Sequence, residues 1–325
     1  MTGAPAHAPR VAVVGATGIV GETLLRVLEE RAFPVRELVA LGSGRAGARV
    51  RFRGHDHAVS AATPAMLRGV ELVFFAATGE LSRTLAPVAV EQGALVVDKS
   101  STWRMAEHVP LVVPEVNAAA LAGQRGLVAC PNCTTIGLVM ALEPLRRAAG
   151  LASVVVTTFQ SASGAGREAL EELHGTPRGI FPRTLAGNAL PQCDAFREDG
   201  STAEEHKLVT ETRKILALPG LPVSATCARV PVAVGHSAAV LVETERDLAP
   251  EDALAALRAF PGLSVGGPRE YATPLEVVGR DEVHVGRVRR DPSHPRRLWL
   301  WTVLDNLRKG AATNAVQIAE ELFER

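Results

Sequence analysis

The sequence predicts an α/β chain: first a doubly wound parallel sheet, then an α+β domain with a mixed or antiparallel sheet. Three observations carry the prediction. A β-rich run at 11–14 passes through a glycine turn straight into an amphipathic helix. Further apolar runs at 37–41, 72–77 and 94–98 alternate with helical patterns, the rhythm of parallel strands joined by crossover helices. Beyond residue 133 the rhythm changes, and the last strand-like runs, 283–289 and 298–303, follow each other with no helix between them, which predicts an antiparallel pair. A chain of 325 residues is long enough for two domains. The expected division is 1–132, with a C-terminal helix at 305–325 packing back on it, and 133–304.

Composition narrows the function. Hydrophobic residues make up 47% and charged residues 22%, an ordinary globular balance, and the net charge is zero, so no field favours nucleic acid or an anionic membrane. Only four basic residues are lysine (Lys99, Lys207, Lys214, Lys309) and the other 31 are arginine. Four cysteines form no disulfide framework at this length. Cys130 and Cys133 make a lone C-x-x-C without two further ligands at zinc spacing, so no metal is expected. Residues 1–10 carry no apolar signal-type segment and no run reaches spanning length, so a cytoplasmic location is expected.

The first element explains the first half. In Gly15-Ala16-Thr17-Gly18-Ile19-Val20-Gly21 a strand, a glycine turn and a helix follow in the order of a dinucleotide-binding, Rossmann-like unit. Gly15 permits the turn, Gly18 lets a pyrophosphate approach the backbone, and Gly21 lets helix and strand pack. The next strand ends in Ser43 and Arg45, where an NAD site expects an acidic residue for the ribose hydroxyl. An arginine there suits a 2′-phosphate and predicts NADP; a solvated loop arginine remains the alternative. The strand at 94–98 ends in a polar run in which Arg104 is a candidate anion binder, because ligands of such sheets lie beyond the carboxyl ends of the strands.

A second turn, 129–137, organises the other half. Pro131 breaks any helix before Asn132, and Asn132 is a good N-cap for the apolar-periodic run that follows. Cys133 then sits at a helix N-terminus, where the dipole favours a thiolate. By itself the turn is equally consistent with a small buried thiol. Downstream, a strand at 154–159 runs into a flexible loop with Gln160, Ser163 and Gly164. Residues 175–200 hold seven glycines and prolines and little periodicity, which predicts long loops. A helix opens near Ser201 or Thr202 and places Glu204 and Lys207 on one face, on spacing alone a surface ion pair. A strand at 226–232, a turn at 233–235 and a strand from His236 predict a hairpin that brings Arg229 and His236 together. Arg229 suits a carboxylate and His236 suits proton transfer, though a structural histidine reads equally.

Together these residues resemble the aspartate-β-semialdehyde dehydrogenase family over nearly the whole chain, through GATGIVG, SSTWRM, VPEVN, PNCTT, FQSASGAG, TAEEHK, TRKIL, RVPVAVGHS and DNLRKGAATNAVQIAE. The resemblance implies an NADP-dependent, reversible reductive dephosphorylation of aspartyl-4-phosphate to aspartate semialdehyde through a cysteine thioester, in the pathway to lysine, threonine, methionine and diaminopimelate. It implies Cys133 as nucleophile, His236 as acid/base, Gln160 and Arg229 on the substrate, and Glu204 on its amino group. Arg104 and Lys207 would hold phosphate. Gly15, Thr17, Gly18, Ile19, Val20, Ser43, Arg45, Ser163, Gly164 and Asn306 would face NADP. The Asn132 amide and the Cys133 N–H are the expected oxyanion donors. The partners implied are the small substrates and a second or further copy of the chain, as homodimer or homotetramer. Departures from the family pattern are Lys99, Ala46 and a short 175–193 segment.

Other functions account for less. An N-acetyl-γ-glutamyl-phosphate reductase shares the thioester chemistry but gives Glu204 no ammonium to meet. A glyceraldehyde-3-phosphate dehydrogenase has Asn where Ile136 stands. A short-chain dehydrogenase needs Tyr-x-x-x-Lys, and the only tyrosine, Tyr271, lacks it. A silent nucleotide-binding homologue has no reason to keep Cys133, Gln160, Arg229 and His236 together.

Overall fold

Local chemistry sets the first elements of the computed structural model, which describes residues 8–45 and 47–323; the expectations for residues 1–7 and for Ala46 lie outside them. Strand β1 (Arg10–Val14) is buried from Val11 onward. It ends at Gly15, whose φ of +88° is open to glycine, and α1 (Ile19–Glu30) follows with Leu24, Leu25, Val27 and Leu28 buried. The chain continues through β2 (Glu37–Gly42), β3 (Arg49–Phe52), β4 (His55–Ala58), β5 (Ser60–Ala61), β6 (Leu72–Phe75), α2 (Gly79–Glu91), β7 (Leu95–Asp98), α3 (Pro114–Asn117) and β8 (Leu127–Ala129). Strand order β5-β2-β1-β6-β7-β8, parallel throughout, reverses direction at β1, which is the doubly wound sheet expected. The β3–β4 hairpin stands apart from that sheet and was not anticipated.

The second unit holds α4 (Cys133–Ala149), β9 (Ser153–Gln160), α5 (Arg167–Leu173), α6 (Ala203–Ile215), β10 (Val223–Arg229), β11 (His236–Glu243), α7 (Pro250–Arg258), β12 (Leu263–Val265), α8 (Pro274–Val277), β13 (Val283–Arg290) and β14 (Arg297–Leu304). Its sheet runs β10-β9-β11-β14-β13-β12 and is mixed: β9 pairs β10 and β12 pairs β13 in parallel, and the other neighbours are antiparallel. The expected hairpin is therefore not formed. β10 and β11 lie on either side of β9, because Thr158, Val156 and Val154 of β9 share a buried face with Ala238, Val240 and Val242 of β11 and that pairing excludes β10. The fully antiparallel alternative fails for the same reason. On the opposite face Val155, Phe159, Leu241, Trp299 and Trp301 are left at least partly open.

The final helix, α9 (Thr313–Phe323), returns to the first unit, where Arg31 pairs with Glu320 at 2.6 Å. The chain divides into one unit that ends at Pro131 and resumes at Ala311, and another from Asn132 to Gly310. Asn132 and residues 305–310, expected with the first domain, are held in the second by their own bonds: Asn132 to Glu204 and Glu211, and Asn306 to Ser161 and Ser163. Among the described residues no helix is long and apolar enough to cross a membrane.

Candidate active site

In the first unit the glycine turn has the shape a dinucleotide needs. A Cβ on Gly15 would run into the Ala76 carbonyl, and one on Gly21 into the Gly15 carbonyl, so strand and helix approach as only glycine permits. Gly18 is the N-cap of α1 and supplies no side-chain cap, which leaves the helix start to a ligand anion. Thr17 is exposed, and Ile19 and Val20 are half-buried beside it. Ser43 and Arg45 are exposed just beyond β2. The cradle fits a nicotinamide dinucleotide. Arg104, by contrast, is buried, and its guanidinium donates to the Cys130 carbonyl at 3.0 Å and the Lys99 carbonyl at 2.8 Å. Lys99 donates to the Pro131 carbonyl at 3.1 Å. Two cations thus grip the strand end just before residue 133.

In the second unit the thiol stands where the cap predicts. Of the four cysteines only Cys133 is not buried. It is the first residue of α4, and the Asn132 carboxamide oxygen accepts from Thr134 N–H at 2.9 Å and Thr135 N–H at 3.3 Å. Gly310 lies so close that a Cβ there would fall 2.9 Å from the Cys133 Cβ. Burial pushes the Cys193 thiol up to about 12, against the pull of Arg229 and with Glu204 and Cys133 adding to the rise. Burial likewise raises Cys227. Neither is a ready nucleophile.

Strand ends collect the other groups. Gln160 closes β9 in register with Arg229 at the end of parallel β10, and His236 opens antiparallel β11 beside them. Arg229 and His236 meet not across a hairpin but around the loop after β9: a Cβ on Gly164 would lie 2.9 Å from the Arg229 Nη1 and from both Cε1 and Nε2 of His236. Ser161 secures both. Its carbonyl accepts from the Arg229 guanidinium at 2.7 Å, and its N–H donates to His236 Nδ1 at 3.0 Å. The Ser161 hydroxyl lies 3.1 Å from the same nitrogen, so Nδ1 accepts from the Ser161 N–H in one tautomer and donates to the Ser161 Oγ when it is protonated. Asn306 Oδ1 accepts from Ser161 Oγ at 3.1 Å, Ser163 Oγ at 3.2 Å and Gly235 N–H at 2.8 Å, so it braces the loop on which His236 depends.

Helix α6 presents the acids. A capping box between Thr202 and Glu205 fixes its start. Glu204, 6% exposed, accepts from the Asn132 side chain at 2.9 Å and Gln160 at 3.1 Å, and its other oxygen accepts from Lys207 at 3.2 Å. The pair that read as a surface contact is thus built into the site. Lys207 also meets Asp194 at 2.7 Å. Burial alone would lower the Lys207 ammonium, but Glu204 and Asp194 hold it above its ordinary value. Burial alone would raise Asp194, but Lys207, the Ala195 N–H and Arg229 hold it below the usual carboxylate range. Asp194 and Arg229 line an open cavity of about 430 Å³ with Phe181 and Gln192.

Sequence reasoning missed Ser161, Asp194 and Glu211. Only Glu211 left a signal, since it stands seven residues after Glu204 on the same helical face. The loop residue Asp194 and the backbone of Ser161 left none.

Known families match both halves of the chain. A family described as semialdehyde dehydrogenase, NAD binding domain matches residues 10–124, and one described as semialdehyde dehydrogenase, dimerisation domain matches residues 142–309. The aspartate-semialdehyde dehydrogenase of Aquifex aeolicus is 46% identical over 97% of this chain and 98% of its own. That of Bacillus subtilis is 45% identical over 96% of each. The crystal structure of aspartate semialdehyde dehydrogenase II from Vibrio cholerae superposes with a TM-score of 0.94 at 43% identity, covering 98% of this chain and 99% of that one. The same enzyme complexed with ASA gives a TM-score of 0.94 at 42% identity, with the same coverage.

Proposed function

The chain belongs to the aspartate-semialdehyde dehydrogenase family, and on that premise we propose that it interconverts aspartate semialdehyde and aspartyl-4-phosphate with NADP and phosphate through a thioester on Cys133. The observation that carries the reading is Cys133, the one cysteine not buried, at the start of α4 behind a bonded Asn132 cap. The helix start favours the thiolate, which attacks the carbonyl carbon of the aldehyde or of the acyl phosphate. In the first unit Gly15, Thr17, Gly18, Ile19, Val20, Ser43 and Arg45 would hold NADP, which would supply or accept the hydride. In the second unit Asn306 donates to the Ser163 hydroxyl and steadies the loop of Ser163 and Gly164.

His236 as an imidazolium gives its Nε2 proton to the oxyanion that forms on the thiohemiacetal oxygen, its Nδ1 proton resting on the Ser161 hydroxyl at 3.1 Å; in the reverse sense the neutral ring takes the proton back on Nε2. The Asn132 amide and the Cys133 N–H stabilise the same oxygen. Gln160, fixed by Glu204, orients the carbonyl. Arg229 faces the α-carboxylate as a planar fork, and Glu204 meets the α-ammonium. Lys207 takes the phosphate, whereas the Arg104 guanidinium is engaged by the Cys130 and Lys99 carbonyls. The open apolar face around Val155, Phe159 and Trp301 suits a second copy of the chain, so a homodimer or homotetramer forms through the mixed sheet. The protein works in the cytoplasm, in the synthesis of the aspartate-derived amino acids.

The test is oxidation of aspartate semialdehyde followed by the absorbance of reduced nicotinamide. Turnover should require both NADP and phosphate, and N-acetyl-glutamate semialdehyde should be inert. Turnover of the N-acetylated aldehyde alone would transfer the chain to the other substrate and leave Glu204 without its role.

A further inference from the structure

Glu211 is a buried carboxyl side chain not used by the reaction above. It lies on α6 two helical turns after Glu204 and is 1% exposed. Its Oε2 accepts the backbone N–H of Asn132 at 2.7 Å, at the short end of such bonds. Glu204 takes the side-chain amide of the same asparagine at 2.9 Å. Residues i and i+7 share a helix face and are separated by about 10 Å along the axis, so one rigid element reaches Asn132 at two points.

The other polar atoms of Asn132 are also engaged. Its Oδ1 caps α4 through Thr134 and Thr135, and its carbonyl accepts the Ile136 N–H at 3.0 Å. Every hydrogen-bonding group of the residue before the nucleophile is therefore fixed, and the backbone N–H depends on Glu211. That N–H is buried, and losing its acceptor leaves it to swing toward another. The Asn132 backbone turn, with φ −57° and ψ 143°, sets the direction in which Cys133 leaves for the helix.

We propose that Glu211 is a positioning residue for the nucleophile: with Glu204 it makes α6 a two-point clamp on Asn132, and through Asn132 it fixes the direction of the Cys133 thiol. This rests on Cys133 being the nucleophile. The clamp works through an acceptor oxygen at one place, so a glutamine, whose amide oxygen still accepts, should replace Glu211, and an alanine should not. Glu211 touches no reacting atom, so its loss should weaken bond formation at the thiol and leave cofactor affinity unchanged.

The test compares wild type, Glu211→Gln and Glu211→Ala as full-length enzymes. Active thiols are counted by stoichiometric alkylation, and the pre-steady-state burst of reduced nicotinamide with aspartate semialdehyde gives the rate of thioester formation. Per active thiol, Glu211→Ala should lose about thirtyfold or more in burst rate and kcat, with KM for NADP within about twofold of wild type, an effect of the size that small displacements of reacting groups produce. Glu211→Gln should return to within about fivefold of wild type. Equal damage from both variants would mean that the charge acts and not the bond, and would overturn the clamp. So would a Glu211→Ala enzyme of normal burst rate per thiol, whose defect would then be folding alone. If Glu211→Ala does not fold, Glu211→Gln decides: a fall below one-tenth of the wild-type burst rate at wild-type Tm overturns the proposal, and a near-normal rate supports it. A wild type without any burst would instead refute Cys133 as nucleophile, an outcome distinct from failure of the clamp.

Discussion

Gly164→Ala is a perturbation whose size can be worked from the geometry. The added methyl would fall 2.9 Å from the Arg229 Nη1 and from two ring atoms of His236. Comfortable contact for such atoms is about 3.5–4.0 Å, so the guanidinium and the imidazole must each retreat by about 0.6 Å or more. Neither is free to do so, because the Ser161 carbonyl holds Arg229 at 2.7 Å and the Ser161 N–H holds His236 at 3.0 Å. Displacements of this order in a site that needs sub-ångström placement cost about ten- to a hundredfold in rate, or about 1.4–2.7 kcal/mol of barrier. The backbone at Gly164 does not have the left-handed φ that strains a side chain, so stability should scarcely change. Gly166, two residues on, reverses both properties: its φ is +98° with nothing within 4 Å of a Cβ. There an alanine should lower stability by about 1–3 kcal/mol and leave kcat per folded molecule near wild type. The assay is kcat/KM for the semialdehyde together with a thermal melt of each variant. A Gly164→Ala enzyme within twofold of wild type would refute the reasoning, since Arg229 and His236 would then be free to move without consequence.

Cys133→Ser should lose about a thousandfold or more in turnover whereas Cys130→Ser keeps most of it; equal losses would mean that the wrong thiol has been chosen. Arg45→Ala should raise KM for NADP far more than KM for NAD, and an unchanged ratio of the two would leave Arg45 a solvated loop residue. Val155→Asp, on the open face of the mixed sheet, should convert the oligomer to monomer by light scattering; an unchanged mass would move the interface elsewhere. Lys207 is held above its ordinary value, so its ion pair with Asp194 is complete below about pH 10 and is lost only as pH rises through the still higher folded value. Asp194 is held below its ordinary value, so the same pair is complete above about pH 4 and is lost as pH falls through the folded value. The Tm difference between wild type and Lys207→Met should therefore be constant from about pH 5 to pH 9, and its disappearance near pH 8 would contradict the pairing.

The sequence by itself determined what depends on neighbours along the chain. A glycine turn between strand and helix, an Asn cap before Cys133 and a cap on α6 at Ser201 or Thr202 are written in backbone sterics and helix-end chemistry over a few residues, and the structure forms all three, with Thr202 as the α6 cap. Helical spacing likewise put Glu204 and Lys207 together. It could not say that they are buried, because burial depends on what packs above them. Tertiary structure decided the rest. β9 separates β10 from β11, so Arg229 and His236 converge around Gly164 instead of across a hairpin. Ser161 reaches His236 across 75 residues and Glu211 reaches Asn132 across 79. The partner of Lys207 from outside its own helix, Asp194, comes from a loop without periodicity. Such contacts form only when buried faces choose their strand neighbours, and that choice is made by the packing of whole sheets rather than by any local run of residues.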